Sequence, residues 1–255
     1  MSETDGHDYR RFTSTASLLN SPDATSILSY KFREPMSRRD TQWLETVAVM
    51  LWQAIVTVPE QAVVKGLDNQ IYLRLDLAPE GYQGQQWCLG TMAGWCLDNM
   101  VGILAFASPS DPIEHAQYIA SLGSLHAMVR YDSIHGDPAD LAADPSSLSF
   151  DSPGLTVGRP PEDVLPPYLA KSLHLHFMEK WNVDNPHVLF VSDSVSGART
   201  LMIDIQASQM GSDTNIAAAT KALTWHLGPG RLLSLRPENW STEGFIPLWD
   251  FYPSA

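Results

Sequence analysis

Cysteine is almost absent: Cys88 and Cys96 are the only two in 255 residues. A secreted disulfide scaffold carries more, and neither cysteine belongs to a CxxC pair that would depress a thiol pKa. Both are expected as half-buried thiols on neighbouring strands. Positive charge is also scarce, with 16 Lys and Arg against 29 Asp and Glu and a formal charge of −13. Binding phosphates needs a basic footprint, so a nucleic-acid partner is not expected, nor is an anionic membrane surface. Apolar runs are strand-sized, well short of the roughly 20 residues that span a bilayer. The opening "MSETDGHDYRR" has no apolar signal segment. These absences predict a reduced, cytoplasmic protein with an acidic surface and no membrane association.

Chemical motifs are missing in the same way. His174 and His176 form the nearest thing to a metal-ligand pair, but residues two apart point to opposite sides of a helix. His115, His126, His135, His187 and His226 are scattered, with no zinc spacing. "SDSVSGA" places Ser196 before Gly197 but lacks the leading glycine of GxSxG, and it falls between two strands as a hairpin loop. "GPGRLL" follows a helix instead of opening one, so Gly228 and Gly230 read as helix-ending and turn glycines, not a phosphate cradle. Asp76, Asp98, Asp193 and Asp204 lie on or beside strands, with Asp76 and Asp204 on wet strand faces. No catalytic, metal or cofactor-binding residue is expected, and no cofactor.

What is present is a chain with 44 % apolar and 18 % charged residues, long enough for two modest cores. Residues 1–36 are rich in Ser, Thr and Asp without sustained periodicity, and are expected as a flexible arm with one short ordered piece at "SILSYKF". Ser37 or Asp40 then caps a helix over "TQWLETVAVMLWQAI", whose apolar residues recur at helical spacing. "IYLRLDL" alternates as a strand with one wet face. "WCLGTMAGWCLDNMVGILAFASP" reads as strands broken by turns, with the non-alternating run Val101–Ala107 as a central strand covered on both faces. Ser110 or Asp111 should cap a helix over "PIEHAQYIASL". One further strand is expected at Leu148–Phe150.

Beyond it, the Pro-Pro pairs at 160–161 and 166–167 bracket a linker over 159–167. The second half repeats the order of elements: helix "YLAKSLHLHFMEKW", strands "HVLFVSD" and "RTLMIDIQ", helix "DTNIAAATKALTWHL", strand "RLLSLRP" and the closing "GFIPLWDFYP". The expected class is α+β, as two small α/β-sandwich-like domains over 37–158 and 168–255. Each is a short mixed sheet with packed helices.

The succession of short motifs resembles the enhanced serine sensitivity protein (SseB) family. A helix enters an extended segment closed by Pro59, a "YL" strand follows, and a strand ends in "FASP", where that family shows phenylalanine with Thr-Ser. "SLSFDSPGLTVGRPPEDV" is similar to the segment closing the family's N-terminal domain, although Asp151-Ser152-Pro153 replaces its Asn-Pro. The second half is similar to the family's C-terminal domain, whose last strand often ends near a Pro-Phe-Tyr signature; here it is Asp250-Phe251-Tyr252-Pro253. The likeness covers roughly residues 38–253. It implies a two-domain protein without an established catalytic mechanism, and it carries over no catalytic residue.

The chain's eight tryptophans remain. Trp43 and Trp52 fall at helical spacing and Trp181 and Trp225 near helix ends, as core residues do. Trp240 and Trp249 lie in or beside loops and are the candidate partner-binding residues. The expected function is a non-enzymatic protein-binding, regulatory or accessory factor, its partner a basic protein or a second copy. The alternative is a hydrolase or transferase of unrecognised type, with a carboxylate site between the domains.

Overall fold

The computed structural model describes residues 20–143, 148–206 and 216–253. The chain divides into two units, the first running to Ile134 and the second starting at His135. Each is a mixed sheet carrying helices, so the class is α+β with two small domains. Among the described residues, no helix is long and apolar enough to cross a membrane.

In the first unit, α1 (Pro22–Phe32) and α2 (Thr41–Gln53) pack together. The expected flexible arm is therefore corrected over 20–36; residues 1–19 lie outside the described residues. The polar residues that suggested an arm are the start signals of a helix. Ser21 Oγ accepts the Ala24 N–H at 3.2 Å, and Pro22 occupies the first turn. Ala24, Leu28 and Phe32, four apart, form one buried stripe. Long-range bonds fix the helix: Ser21 N–H donates to the Gln53 carbonyl at 2.8 Å, and Trp43 Nε1–H to the Lys31 carbonyl at 3.2 Å. Asp40, not Ser37, caps α2, accepting the Trp43 N–H at 2.8 Å.

Strands β1 (Val56–Thr57), β2 (Val63–Lys65), β3 (Ile71–Leu77), β4 (Gly102–Phe106) and β5 (Tyr118–Ala120) make the first sheet in the order β1–β3–β4–β5, with β2 also on β3. β3 and β4 are parallel, and a parallel pair needs a crossover. α3 (Leu89–Asp98) supplies it, which corrects the expectation of strands here. Buried Leu89, Met92, Ala93, Cys96 and Leu97 follow helical spacing, a signal masked by Gly90, Gly94 and the aromatic and cysteine content. Cys88 and Cys96 are fully buried at and within this helix, not on strands, and burial pushes the Cys96 thiol up to about 12. β4 is central and buried at every position, as expected.

The segment after β4 is not the expected helix. It holds one short 3₁₀ turn, Ile113–His115, then edge strand β5, and helix α4 (Leu122–Tyr131) starts at the Ser121 cap. Asp111 caps nothing; its carboxylate accepts the Ser108 N–H at 3.0 Å.

The second face of β3 is not wet. Tyr72 and Asp76 are both buried. The Arg74 guanidinium lies 4.0 Å over the Phe106 ring, bonds Asp76 Oδ1 at 2.9 Å, and donates to the carbonyls of Ser108, Pro109 and Asp111. One cation thereby neutralises a buried carboxylate and folds the 108–111 loop back over the sheet. Burial still holds the Asp76 carboxyl above its ordinary value, against the lowering effect of Arg74. The Tyr72 ring is gripped between two glycines. A Cβ on Gly66 would come within 2.6 Å of it, and one on Gly102 within 2.7 Å of it and 2.6 Å of the Ala120 carbonyl oxygen.

The second unit contains α5 (Pro138–Ala142), β6 (Leu155–Gly158), α6 (Pro167–Trp181), β7 (His187–Asp193), β8 (Arg199–Ile203), α7 (Ile216–Leu227), β9 (Leu233–Leu235) and β10 (Ile246–Pro247), then a 3₁₀ turn over Leu248–Phe251. Its sheet runs β10–β7–β8–β9, with β6 also on β7. The hairpin β7–β8 and the helices α6 and α7 stand where the periodicity puts them. The N-terminal cap of α7 lies outside the described residues.

The expected boundary at 158 and linker at 159–167 are corrected. β6 pairs with β7, and Asp137, which caps α5, and Asp140 within it are ion-paired to Arg199 on β8 and to Arg231. Val164 and Leu165 are buried, and the Val164 carbonyl accepts Arg231 Nη1 at 2.6 Å. Proline here shapes an ordered approach to α6 within one unit. Leu148–Phe150 is not a strand either: Leu148 and Phe150 pack on the core of Leu189, Val191 and Met202.

Two outcomes test this packing. Gly102→Ala should cost about 1–3 kcal/mol, because neither the strand carbonyl nor the gripped ring can retreat freely. A chain beginning at Ser37 should lose roughly 3–6 kcal/mol from the burial of Leu28 and Phe32 alone. Denaturant melts check both, and an unchanged midpoint for the shortened chain would show that α1 contributes nothing.

Candidate functional site

The two candidate tryptophans belong to different environments. Trp240 is half-buried, its ring 4.9 Å from Phe150, and it packs on Leu189, Val191 and Met202. Its carbonyl accepts Arg236 Nη1 at 2.8 Å. Trp240 thus packs against this core with part of its surface still exposed.

Trp249 is 42 % exposed, although every neighbour in its segment is held. Leu248 is fully buried and its N–H donates to the Pro186 carbonyl at 3.0 Å. Phe251 lies under the Arg159 guanidinium at 4.2 Å, and Arg159 also donates to the Asp250 carbonyl. The Tyr252 hydroxyl bonds His174 Nδ1. The Trp249 ring stands between the rings of His174, at 6.1 Å, and His187, at 6.4 Å. Asp250 lies within this turn, and Asp184, whose carbonyl meets His174, precedes β7; both are exposed residues.

The carboxylates singled out by sequence have separate surroundings within each unit. Asp76 is held by Arg74 in the first unit. Asp98 is exposed at the end of α3. In the second unit Asp204 pairs with Arg236 at 2.5 Å. Asp193 closes the hairpin turn: Oδ1 accepts the Val195 N–H and the Ser152 hydroxyl, both at 2.9 Å, and Oδ2 accepts Ser196 Oγ at 2.9 Å. The Val195 N–H, with the two hydroxyls, holds this carboxyl below its ordinary value. Ser196 is thus a turn residue. Gly228 and Gly230, with φ of +83° and +76°, end α7 and turn the chain toward β9.

His174 and His176 do point apart. His174 turns to Tyr252 and to the Asp184 carbonyl. His176 instead joins a chain that sequence reasoning missed. Ser172 Oγ lies 2.7 Å from His226 Nδ1, and His226 Nε2 lies 3.2 Å from His176 Nδ1. Ser172 and His176 are four apart on α6, and that spacing was the one visible signal. His226 comes from α7, some 50 residues later. All three are buried, at 6 %, 3 % and 8 % exposure. Burial, reinforced by Lys180, pulls His176 down to about 4; burial, reinforced by His176, pulls His226 down to about 3.

No family model, curated protein or solved structure matches this chain. Its chemistry therefore rests on geometry alone. A serine bonded to an imidazole is the pairing of an acyl-transfer nucleophile with its base. Acyl transfer also needs free donors aimed at a developing oxyanion. Ser172 is inside α6, where backbone N–H groups bond carbonyls of the preceding turn, and its hydroxyl faces a neighbouring helix instead of solvent. The arrangement suits a buried hydrogen-bond relay. Among the described residues, no three His, Cys, Asp or Glu side chains are grouped to hold a metal. Ser172 should accordingly resist a fluorophosphonate reagent in the folded protein; stoichiometric labelling at this residue by mass spectrometry would establish it as a nucleophile instead.

Proposed function

We propose that this chain is a non-enzymatic, cytoplasmic protein-binding factor of regulatory or accessory type, and that Trp249 is the centre of its contact surface. The observation carrying this reading is a large aromatic side chain left in solvent by a segment whose other residues are anchored. Aromatics of this kind, with little conformational freedom to lose, supply much of the energy of protein interfaces. The resemblance to the SseB family supports a two-domain factor of this sort.

Charge indicates the chemistry of the partner. The second unit contains four arginines, and all four are engaged inside it: Arg199 and Arg231 on Asp137 and Asp140, Arg236 on Asp204, and Arg159 on Phe251. Asp250 is next to Trp249 in the chain, and Asp184 meets His174, which the Trp249 ring approaches; among the described residues no ion pair is formed by either carboxylate. A basic protein segment fits such a surface, and steering by opposite charge would speed its arrival. Nucleic acid does not fit it.

Trp249→Ala should leave stability within about 0.5 kcal/mol of the parent chain, as exposed substitutions do. Trp240→Ala should lose roughly 2–4 kcal/mol by opening a cavity. Affinity capture from cytoplasm at low and high salt, compared with melting curves, separates the roles. The expected result is a partner retained by Trp240→Ala under stabilising conditions, released by salt and lost with Trp249→Ala. Unchanged capture by Trp249→Ala would remove this surface from the function. Sedimentation of the purified chain reports a second copy as the partner.

A further inference from the structure

The buried relay has a property that its hydrogen bonds impose. With both rings neutral, the Ser172 hydroxyl donates to His226 Nδ1, and His226 Nε2–H donates to His176 Nδ1, or every arrow is reversed. One added proton on His226 keeps both bonds, since the ring then donates at each nitrogen, but it places a net charge in the core. A second proton sets N–H against N–H across 3.2 Å. We propose that the Ser172–His226–His176 chain is an acid-sensitive latch between α6 and α7, closed in its neutral form and opened with the uptake of two protons.

The surroundings give an imidazolium little relief. The rings of Trp181, at 6.0 Å from His176, and Trp225, at 4.9 Å from His226, wall the pair. Among the described residues, the charges acting on His176 are Lys180 and Glu179, both on α6, the first opposing its proton and the second favouring it; the group acting on His226 is His176. The described side chains of α7, residues 222–227, include no charged residue besides His226. No carboxylate bonds either ring among the described residues.

The sign follows from linkage. Both imidazoles are held below the ordinary histidine value of 6.5 in the closed state, at about 4 for His176 and about 3 for His226. Their contribution is present in full above 6.5 and is lost as pH falls toward those lower values. The depressed carboxyls of the same unit, Asp137 and Asp193, act in another window: their contribution is lost only below 3.8. Mild acid therefore addresses the latch before the carboxylates.

Hydrogen exchange of the full chain, corrected for intrinsic rates, measures the opening of α6 and α7 directly. Between about pH 5.5 and pH 4.5 the opening constant should rise by an amount approaching a hundredfold per pH unit, the slope of two protons. His176→Gln and His226→Gln should each reduce that slope toward about tenfold. A slope of tenfold or less in the parent chain overturns the latch, as does a slope unchanged in both variants. Should neither variant fold, ring-nitrogen NMR of the unaltered protein decides. Rings that stay neutral until α7 loses protection support the latch, whereas rings that titrate at the ordinary value while α7 remains protected exclude it.

Discussion

Two aspartates and two arginines decide where the second unit begins. Arg199 reaches Asp137 at 2.7 Å and Asp140 at 2.6 Å, and Arg231 reaches the same two carboxylates at 3.3 and 3.0 Å. Arg231, Asp137 and Asp140 are almost wholly removed from water, so none of the three charges can be left alone without a large desolvation penalty. The cluster therefore acts as a unit. It ties α5 to β8 and to the turn after α7, and Arg231 extends the tie to the Val164 carbonyl before α6. Burial pushes the Asp137 carboxyl up, but the Ala139 N–H and the two guanidiniums outweigh it and hold it below its ordinary value. Gly136 completes the seam: at φ +107° its α-carbon lies so close to Pro229 that a Cβ would come within 2.1 Å of the Pro229 carbonyl oxygen.

The first unit uses the same device with one cation. Arg74 satisfies a buried carboxylate, three loop carbonyls and an aromatic face together, and Arg39 does similar work between the end of α1 and Gln117. Arginine suits these positions because its planar fork donates in several directions without losing charge. The consequence reaches the surface. Arg39, Arg74, Arg159, Arg199, Arg231 and Arg236 are committed to such internal ties in a chain with 16 basic residues against 29 acidic ones. The acidity of the surface is thus partly a by-product of how the interior is tied.

Sequence periodicity located the elements whose burial is decided locally: α2, β3, β4, α6, the β7–β8 hairpin and the end of α7. It failed where a long-range requirement decides. α3 looks like strand because its glycines and aromatics hide a helical stripe, and only the parallel pairing of β3 with β4 demands a crossover there. α1 looks like an arm because its caps are the polar residues that mark loops. The wet face assigned to β3 is dry because Arg74 brings a loop over it from 34 to 37 residues away. The same limit governs the candidate sites. Trp240 and Trp249 are alike in sequence, and only distant partners, Phe150 for one and His187 for the other, distinguish the half-buried ring from the exposed one. Ser172 and His176 share a helical face, but nothing in their neighbourhood names His226.

The exposure of Trp249 is a consequence of how its neighbours are held, and this separates it from an apolar residue exposed at a loop tip. A 3₁₀ turn has three residues per turn, so Leu248 and Phe251 fall on one side and Trp249 is rotated off it. Leu248 is fixed by its depth and by Pro186, Phe251 by Arg159, and Tyr252 by His174. With these anchors in place the backbone has no freedom to turn the indole inward without breaking at least one of them. Val195, more exposed still, sits at the tip of a hairpin, where exposure costs the fold nothing to maintain. At Trp249 the exposed ring is pre-positioned by the surrounding structure, and a partner binding there would not have to pay much ordering entropy.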